Sequence, residues 1–233
     1  MPTRESAAGR EPTKIQECEF PDDLLYDAEG LTWAREERSG PVVVGITAIL
    51  AAVAGKLTSI TPKAEGQEYA RGKAIGAIES GRYFGLIRTP VGGTLVAVNG
   101  TVVRRPKTLS EDPYGEGWFA RVRPSQFEDD KRLLKTIDDA TALLRDQIGA
   151  LRVRCFATFP DYEMFEIGVE CAAVLVKLNE LIASIEVGDV IHIVSDDGTA
   201  PIEMVQWSEE REQPVVESRR EGNLYHFLVR KVR

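Results

Sequence analysis

The sequence predicts two successive folding units, a mainly β unit followed by an α+β unit. Three observations carry that prediction. From residue 22 to about 123 the apolar runs are short and are closed by Gly, Pro, Asn and Asp, as expected for brief strands joined by turns. Between 126 and 152 the apolar spacing changes to a helical period. After about 152, strand-like and helix-like segments alternate. The 233 residues are enough for two separate cores, and no internal repeat is present.

Residues 1–21 read as a flexible leader, because "MPTRESAAGREPTKIQ" is polar and aperiodic. The first unit, 22–150, contains the strand candidates "LTWARE", "VVVGIT", "KAIGAIES", "YFGLIRT", "GTLVAVNG" and "WFARVR". In "PVGGTLVAVNG" a glycine turn precedes the strand, and Asn99-Gly100 is a turn signal after it. "GITAILAAVAG" suits a short inserted helix. In "QFEDDKRLLKTIDDATALLRDQIGALR", Leu133, Leu134, Ile137, Leu143, Leu144, Ile148 and Leu151 recur at helical spacing, so one amphipathic helix is expected to close this unit.

The second unit, 151–233, opens with the β-like "DYEMFEIGVE". "CAAVLVKLNELIASIE" follows, with Val174, Leu175, Leu178, Leu181, Ile182 and Ile185 on one helical face. "VGDVIHIVSDD" is a strand, "APIEMVQWSEEREQ" a helix and "GNLYHFLVRKV" a last strand. About four strands covered by two helices is the economical packing.

Composition narrows the function classes. A net charge of −8 argues against nucleic acid as a general partner, since phosphate binding needs a basic face. "PVVVGITAILAAVAG" (41–55) is too short to cross a bilayer, and no basic segment followed by an apolar one marks a signal peptide. A cytoplasmic protein without a membrane partner is the expectation. Cys18, Cys155 and Cys171 are odd in number and form no CxxC pair, which argues against a disulfide framework and against a metal site.

"EGLTWARE" (29–36), "VVVGIT" (42–47), "RGKAIGAIES" (71–80), "TPVGGTLVAVN" (89–99) and above all "EDPYGEGWFARV" (111–122) resemble the H protein of the glycine cleavage system. The resemblance covers about residues 22–145 and implies a lipoyl-type barrel-sandwich hybrid. In that family a lysine at a hairpin tip, within Glu-Ser-Val-Lys-Ala, carries lipoate. The matching residues are Glu79, Ser80, Gly81, Arg82 and Tyr83, so the lysine position is Arg82. A guanidinium stays protonated and does not form the amide, so no lipoate is expected and no covalent cofactor. Lys73 is the nearest lysine, early in the preceding strand. Leu31 stands where the family usually has His. Glu79, Ser80 and Arg82 are then candidates for docking, against the simpler reading of a solvated surface turn.

The segment from about 160 resembles TusA-type sulfur carriers, a β-α-β-α-β chain whose cysteine opens the first helix in Gly-x-x-Cys-Pro-x-Pro. Gly168, Val169, Glu170 and Cys171 match its beginning, and Ala172, Ala173 and Val174 replace Pro-x-Pro. The resemblance implies an α+β two-layer sandwich and a persulfide on Cys171. Independently of it, a cysteine at a helix start lies near unpaired N–H groups and the positive dipole end, which favours thiolate. The alternative is a packed cysteine at a strand-to-helix join. Cys155, just after Arg152 and Arg154, is either a second acceptor or a linker residue without a role, and Cys18 is assigned none. Asp196 and Asp197 are expected to cap the helix starting near Ala200 rather than bind a cation. His192 and His226 lie within strands and are not placed as bases for Cys171.

Two functions of different class follow. One is a sulfur carrier or relay with a docking domain, partnered by a sulfurtransferase or a lipoyl-carrying protein. The other is a non-catalytic adaptor or regulatory subunit with both carrier sites degenerate. An H protein acting in glycine cleavage is a third reading. A carrier or accessory protein is expected over a stand-alone enzyme.

Overall fold

The computed structural model describes residues 11–37 and 40–233, and the chain divides into two compact units at Cys155/Phe156. The first unit opens with a hairpin of β1 (Thr13–Ile15) and β2 (Cys18–Phe20). Then come β3 (Leu25–Asp27), β4 (Thr32–Arg35), β5 (Val42–Ile46), α1 (Ala48–Ala54), β6 (Leu57–Pro62), β7 (Glu68–Tyr69), β8 (Ala74–Ser80), β9 (Phe84–Arg88) and β10 (Gly93–Val98). Short helices α2 (Gly100–Arg104) and α3 (Lys107–Glu111) lead to β11 (Ala120–Pro124), and α4 (Phe127–Lys131) and α5 (Ile137–Ala150) close the unit.

The strands form two larger sheets. Six are ordered β3-β4-β5-β11-β10-β7 and three are ordered β6-β8-β9. β5 is buried along its whole length, and the aromatic weight of the core is Phe20, Tyr26, Trp33 and Phe119. Trp33 lies so close to Gly45 that a Cβ there would stand 2.5 Å from the indole, so no larger residue fits opposite it.

Three expectations are corrected in this unit. Residues 11–21, read as part of a leader, form the β1–β2 hairpin, whose Ile15, Cys18 and Phe20 are buried beside α5; residues 1–10 of that leader lie outside the described residues. Alternate burial in segments this short is hard to see in sequence. The long helix is broken: backbone of Lys135 pairs with Tyr26 in both directions, and Thr136 caps a new helix by accepting from Asp139 N. Asn99-Gly100 begins α2 instead of turning a hairpin, with the Asn99 side chain accepting from Thr101 N at 3.0 Å.

The absence of disulfides is also corrected. Cys18 and Cys155 are bonded, joining the N-terminal hairpin to the end of the unit across 137 residues. Spacing could not reveal this pair, because only the fold brings its ends together.

The second unit runs β12 (Tyr162–Glu166), α6 (Cys171–Ser184), β13 (Val190–Ser195), α7 (Ala200–Arg211), β14 (Val215–Glu221) and β15 (Leu224–Arg230). Its sheet has the order β12-β13-β15-β14, with β12 parallel to β13 and the rest antiparallel. Ile191, Ile193, Phe227 and Val229 pack with Val174 and Leu178 of α6 and with Met204 and Trp207 of α7. A strand reading of "VVESRRE" is hard to make from composition, yet it forms β14, paired to β15 around Gly222 at φ 63°.

Candidate functional site

The β8–β9 hairpin ends in Gly81, Arg82 and Tyr83. Its tip is fastened to the C-terminal end of α1. Ser80 Oγ donates to Ala54 O at 2.7 Å, and Arg82 Nη2 donates to Ala52 O at 3.2 Å. The guanidinium therefore sits at the negative end of the helix and satisfies a carbonyl the helix leaves open. It lies across Gly55, where a Cβ would come within 2.8 Å of Arg82 Nε. Gly55 has φ 71°, a conformation that side chains rarely adopt, so both its backbone and its neighbour call for glycine.

The other end of α1 is held by the motif that stood out in sequence. Tyr114 Oη accepts from Ala48 N at 2.9 Å, and burial pushes the Tyr114 hydroxyl above its ordinary pKa, so it stays neutral. Trp33 Nε1 donates to Ile46 O and Pro113 O, and Asn99 Nδ2 donates to Glu116 O and Trp118 O. The "EDPYGEGW" loop thus braces α1, and α1 braces the hairpin tip. Glu79 is exposed and accepts from Ser59 Oγ at 3.3 Å. Lys73 precedes β8, at the end of the strand away from the tip.

The thiolate expectation for Cys171 does not survive the geometry. Cys171 opens α6 but is only 2% exposed. Its thiol is pushed up to about 12, first by burial and then by its hydrogen bond to, and the charge of, Glu203, with Asp197 adding to the effect. The positive end of α6 is already occupied. Asp197 Oδ2 accepts from Cys171 N at 2.8 Å, and Asp197 Oδ1 accepts from Thr199 N at 2.8 Å and Thr199 Oγ1 at 2.9 Å.

One carboxylate therefore bonds the first N–H of α6 and the residue that precedes α7, while Asp196 Oδ1 accepts from Gly168 N at 2.7 Å. These bonds hold Asp197 below the usual carboxylate range, led by the Thr199 backbone. A thiolate at Cys171 would be a further anion beside Asp197 and Glu203, at a dipole end already neutralised. Of the two aspartates expected to cap the helix near Ala200, Asp197 bonds Thr199 at its start and also reaches α6, whereas Asp196 bonds Gly168 instead, a contact invisible to spacing because it links the ends of separate strands.

His192 and His226 are buried and joined by a hydrogen bond of 2.9 Å, Nε2 to Nδ1. They alternate with Ile191, Ile193 and Phe227, so they occupy the sheet face away from the helices and from Cys171. Among the described residues, no group of three or more His, Cys, Asp or Glu is arranged to hold a metal ion, and no helix is long and apolar enough to cross a membrane.

The profile of the glycine cleavage H-protein family matches residues 24–147, which include the braced hairpin and the "EDPYGEGW" loop. The chain belongs to the glycine cleavage H-protein family. Glycine cleavage system H protein 5 of Aquifex aeolicus is 35% identical over 146 residues, covering 61% of this chain and 98% of that protein. A probable H protein 2 of Sulfurisphaera tokodaii is 34% identical over 143 residues, covering 60% of this chain and 96% of that protein. A solved H protein from Mycobacterium marinum aligns with TM-score 0.46 and 27% identity, over 57% of this chain and all of that one. The family match over residues 24–147 establishes the H-protein-like lipoyl-domain fold of the first unit. The family match ends at residue 147, before the second unit begins.

Proposed function

We propose that this chain is an accessory member of the H-protein family, a docking or regulatory subunit in which neither carrier position is loaded. The observation that carries this reading is the anchoring of Arg82. It stands at the hairpin tip where the family pattern places the lipoyl lysine, and its guanidinium is bonded to the end of α1. A lipoyl carrier needs an amine that can lose its proton and an arm that can swing, and a tethered guanidinium supplies neither. The fold of the domain is retained, so the surfaces by which such domains meet lipoyl-handling enzymes are available for docking. Expression with a lipoate-attachment system followed by intact mass tests this. An unmodified mass is expected, and a lipoyl addition on any lysine would instead identify an H protein that carries lipoate.

A second reading is a sulfur relay through Cys171. It is favoured by the Gly168-Val169-Glu170-Cys171 order and by the place of Cys171 at the first position of a 14-residue helix. Cys171 would have to ionise after the Asp196–Asp197 loop withdraws. Its sulfur would then attack the terminal sulfur of a donor persulfide, breaking the donor S–S bond and releasing the donor as a thiol. A reducible gain of one sulfur that vanishes in Cys171→Ala would establish that reading over the first for this unit.

A further inference from the structure

We propose that the open edge of β9 is a docking edge that accepts an extended strand carrying acidic and apolar residues from a partner protein. β9 is the outer strand of its sheet, and among the described residues β8 is the one strand paired with it. Ser80 N donates to Tyr83 O at 2.8 Å at one end of the pair, and Thr89 N donates to Lys73 O at 2.9 Å at the other. Antiparallel pairing alternates, so Tyr83, Gly85, Ile87 and Thr89 face β8 with their backbone groups. The N–H and C=O groups of Phe84, Leu86 and Arg88 then point to the open side.

The same three residues put their side chains on the solvent face, while Ile87 is buried. Phe84 is 70% exposed and Leu86 42% exposed. Soluble proteins guard such edges with proline, inward charge or a covering loop. Along β9 two apolar side chains stand in a row, with Gly85 between them.

Charge selects the occupant. Arg82 precedes β9 and Arg88 ends it, so the edge carries a guanidinium at each end in a chain of net charge −8, while the nearby Arg71 is already paired with Asp27. A second copy paired about a two-fold axis at Gly85 would set Arg82 opposite Arg88 on both sides, and like charges opposed across strands destabilise that pairing. A heterologous strand with carboxylates at those two positions and apolar residues between them converts the repulsion to attraction. Its backbone would supply the missing ladder and its apolar residues would cover Phe84 and Leu86.

This extends the docking reading by naming a surface and a partner chemistry, and it fails separately from it. Lipoylation would leave the edge untouched, and an edge that pairs with nothing would leave the unmodified mass unchanged.

The test uses the full chain and two fluorescein-labelled decapeptides, one alternating Val and Glu, the other Val and Lys. The Val/Glu peptide is expected to bind in anisotropy titrations, the Val/Lys peptide not, and amide exchange should slow at Phe84, Leu86 and Arg88. Leu86→Pro removes an outward donor without taking a bond from β8 and should weaken Val/Glu binding about tenfold or more. The double variant Arg82→Gln/Arg88→Glu, which keeps a donor for Ala52 O, should prefer the Val/Lys peptide. Failure of the Val/Glu peptide to bind, protection at another surface, or an unchanged preference in the double variant would overturn the proposal.

Discussion

Cys171 should be among the slowest thiols of its kind to alkylate, and the structure sets how slow. With a pKa moved from 9.0 to about 12, the thiolate fraction at pH 8 falls about a thousandfold relative to an ordinary cysteine. A more basic thiolate is intrinsically more nucleophilic, which returns a factor of about 20 over three pKa units. Ionisation alone therefore leaves the native rate about 50-fold below that of the urea-unfolded chain, and burial slows it further. Because Cys18 and Cys155 are bonded to each other, iodoacetamide on the oxidised protein reads Cys171 alone.

The pH profile is the sharper test. The native rate should keep rising about tenfold per pH unit from 8 to 11, where an ordinary thiol levels off near 9. Glu203→Gln should speed labelling by removing one of the causes of the raised pKa. The folded state holds this proton more tightly than the unfolded chain does. The stability it contributes is therefore complete below pH 9.0 and is withdrawn as pH rises toward about 12. A native rate equal to the unfolded rate, or a plateau near pH 9, would refute the buried-thiol reasoning and return Cys171 to the carrier reading.

Other measurements probe the remaining supports. Cys18→Ser opens a loop of 137 residues, for which chain entropy gives about 5 kcal/mol as an upper figure; urea denaturation should show a loss that wild type reproduces only with a dithiol reductant present. Leu144→Ala in the first core should cost about 2–5 kcal/mol, read as a lower urea midpoint with an unchanged slope. Gly55→Ala should cost about 1–3 kcal/mol through its positive φ and should free the Arg82 side chain from Ala52, visible as loss of order at the arginine Nε–H resonance. Asp197 titrates below its usual range when folded, so its contribution is present above pH 3.8 and is lost as pH falls through its lower folded value. Asp197→Asn should flatten that acid limb of the stability curve.

Much of the fold was legible in residue patterns because the signals were local. Thr47 and Gly55 bracket α1, the apolar face of α6 repeats at helical spacing, and "EDPYGEGW" lies within the stretch that matches the family. The break between α4 and α5 was not legible, since Leu133 fits the helical period yet is 60% exposed. What overrides the period there is a backbone pairing of Lys135 with Tyr26, more than a hundred residues away in sequence.

For the candidate sites the division is clearer still. Residue identity was enough to expect no lipoyl arm on Arg82, because the chemistry of a guanidinium does not depend on where it sits. Tertiary structure alone revealed that the same side chain is tied to the end of α1. The position of Cys171 at a helix start was likewise readable from sequence, and from it a reactive thiolate was the natural expectation. What sequence cannot hold is which group from elsewhere reaches that helix end first. Here Asp197 fills it, so a location that favours an anion in isolation disfavours a second one, and the thiol keeps its proton.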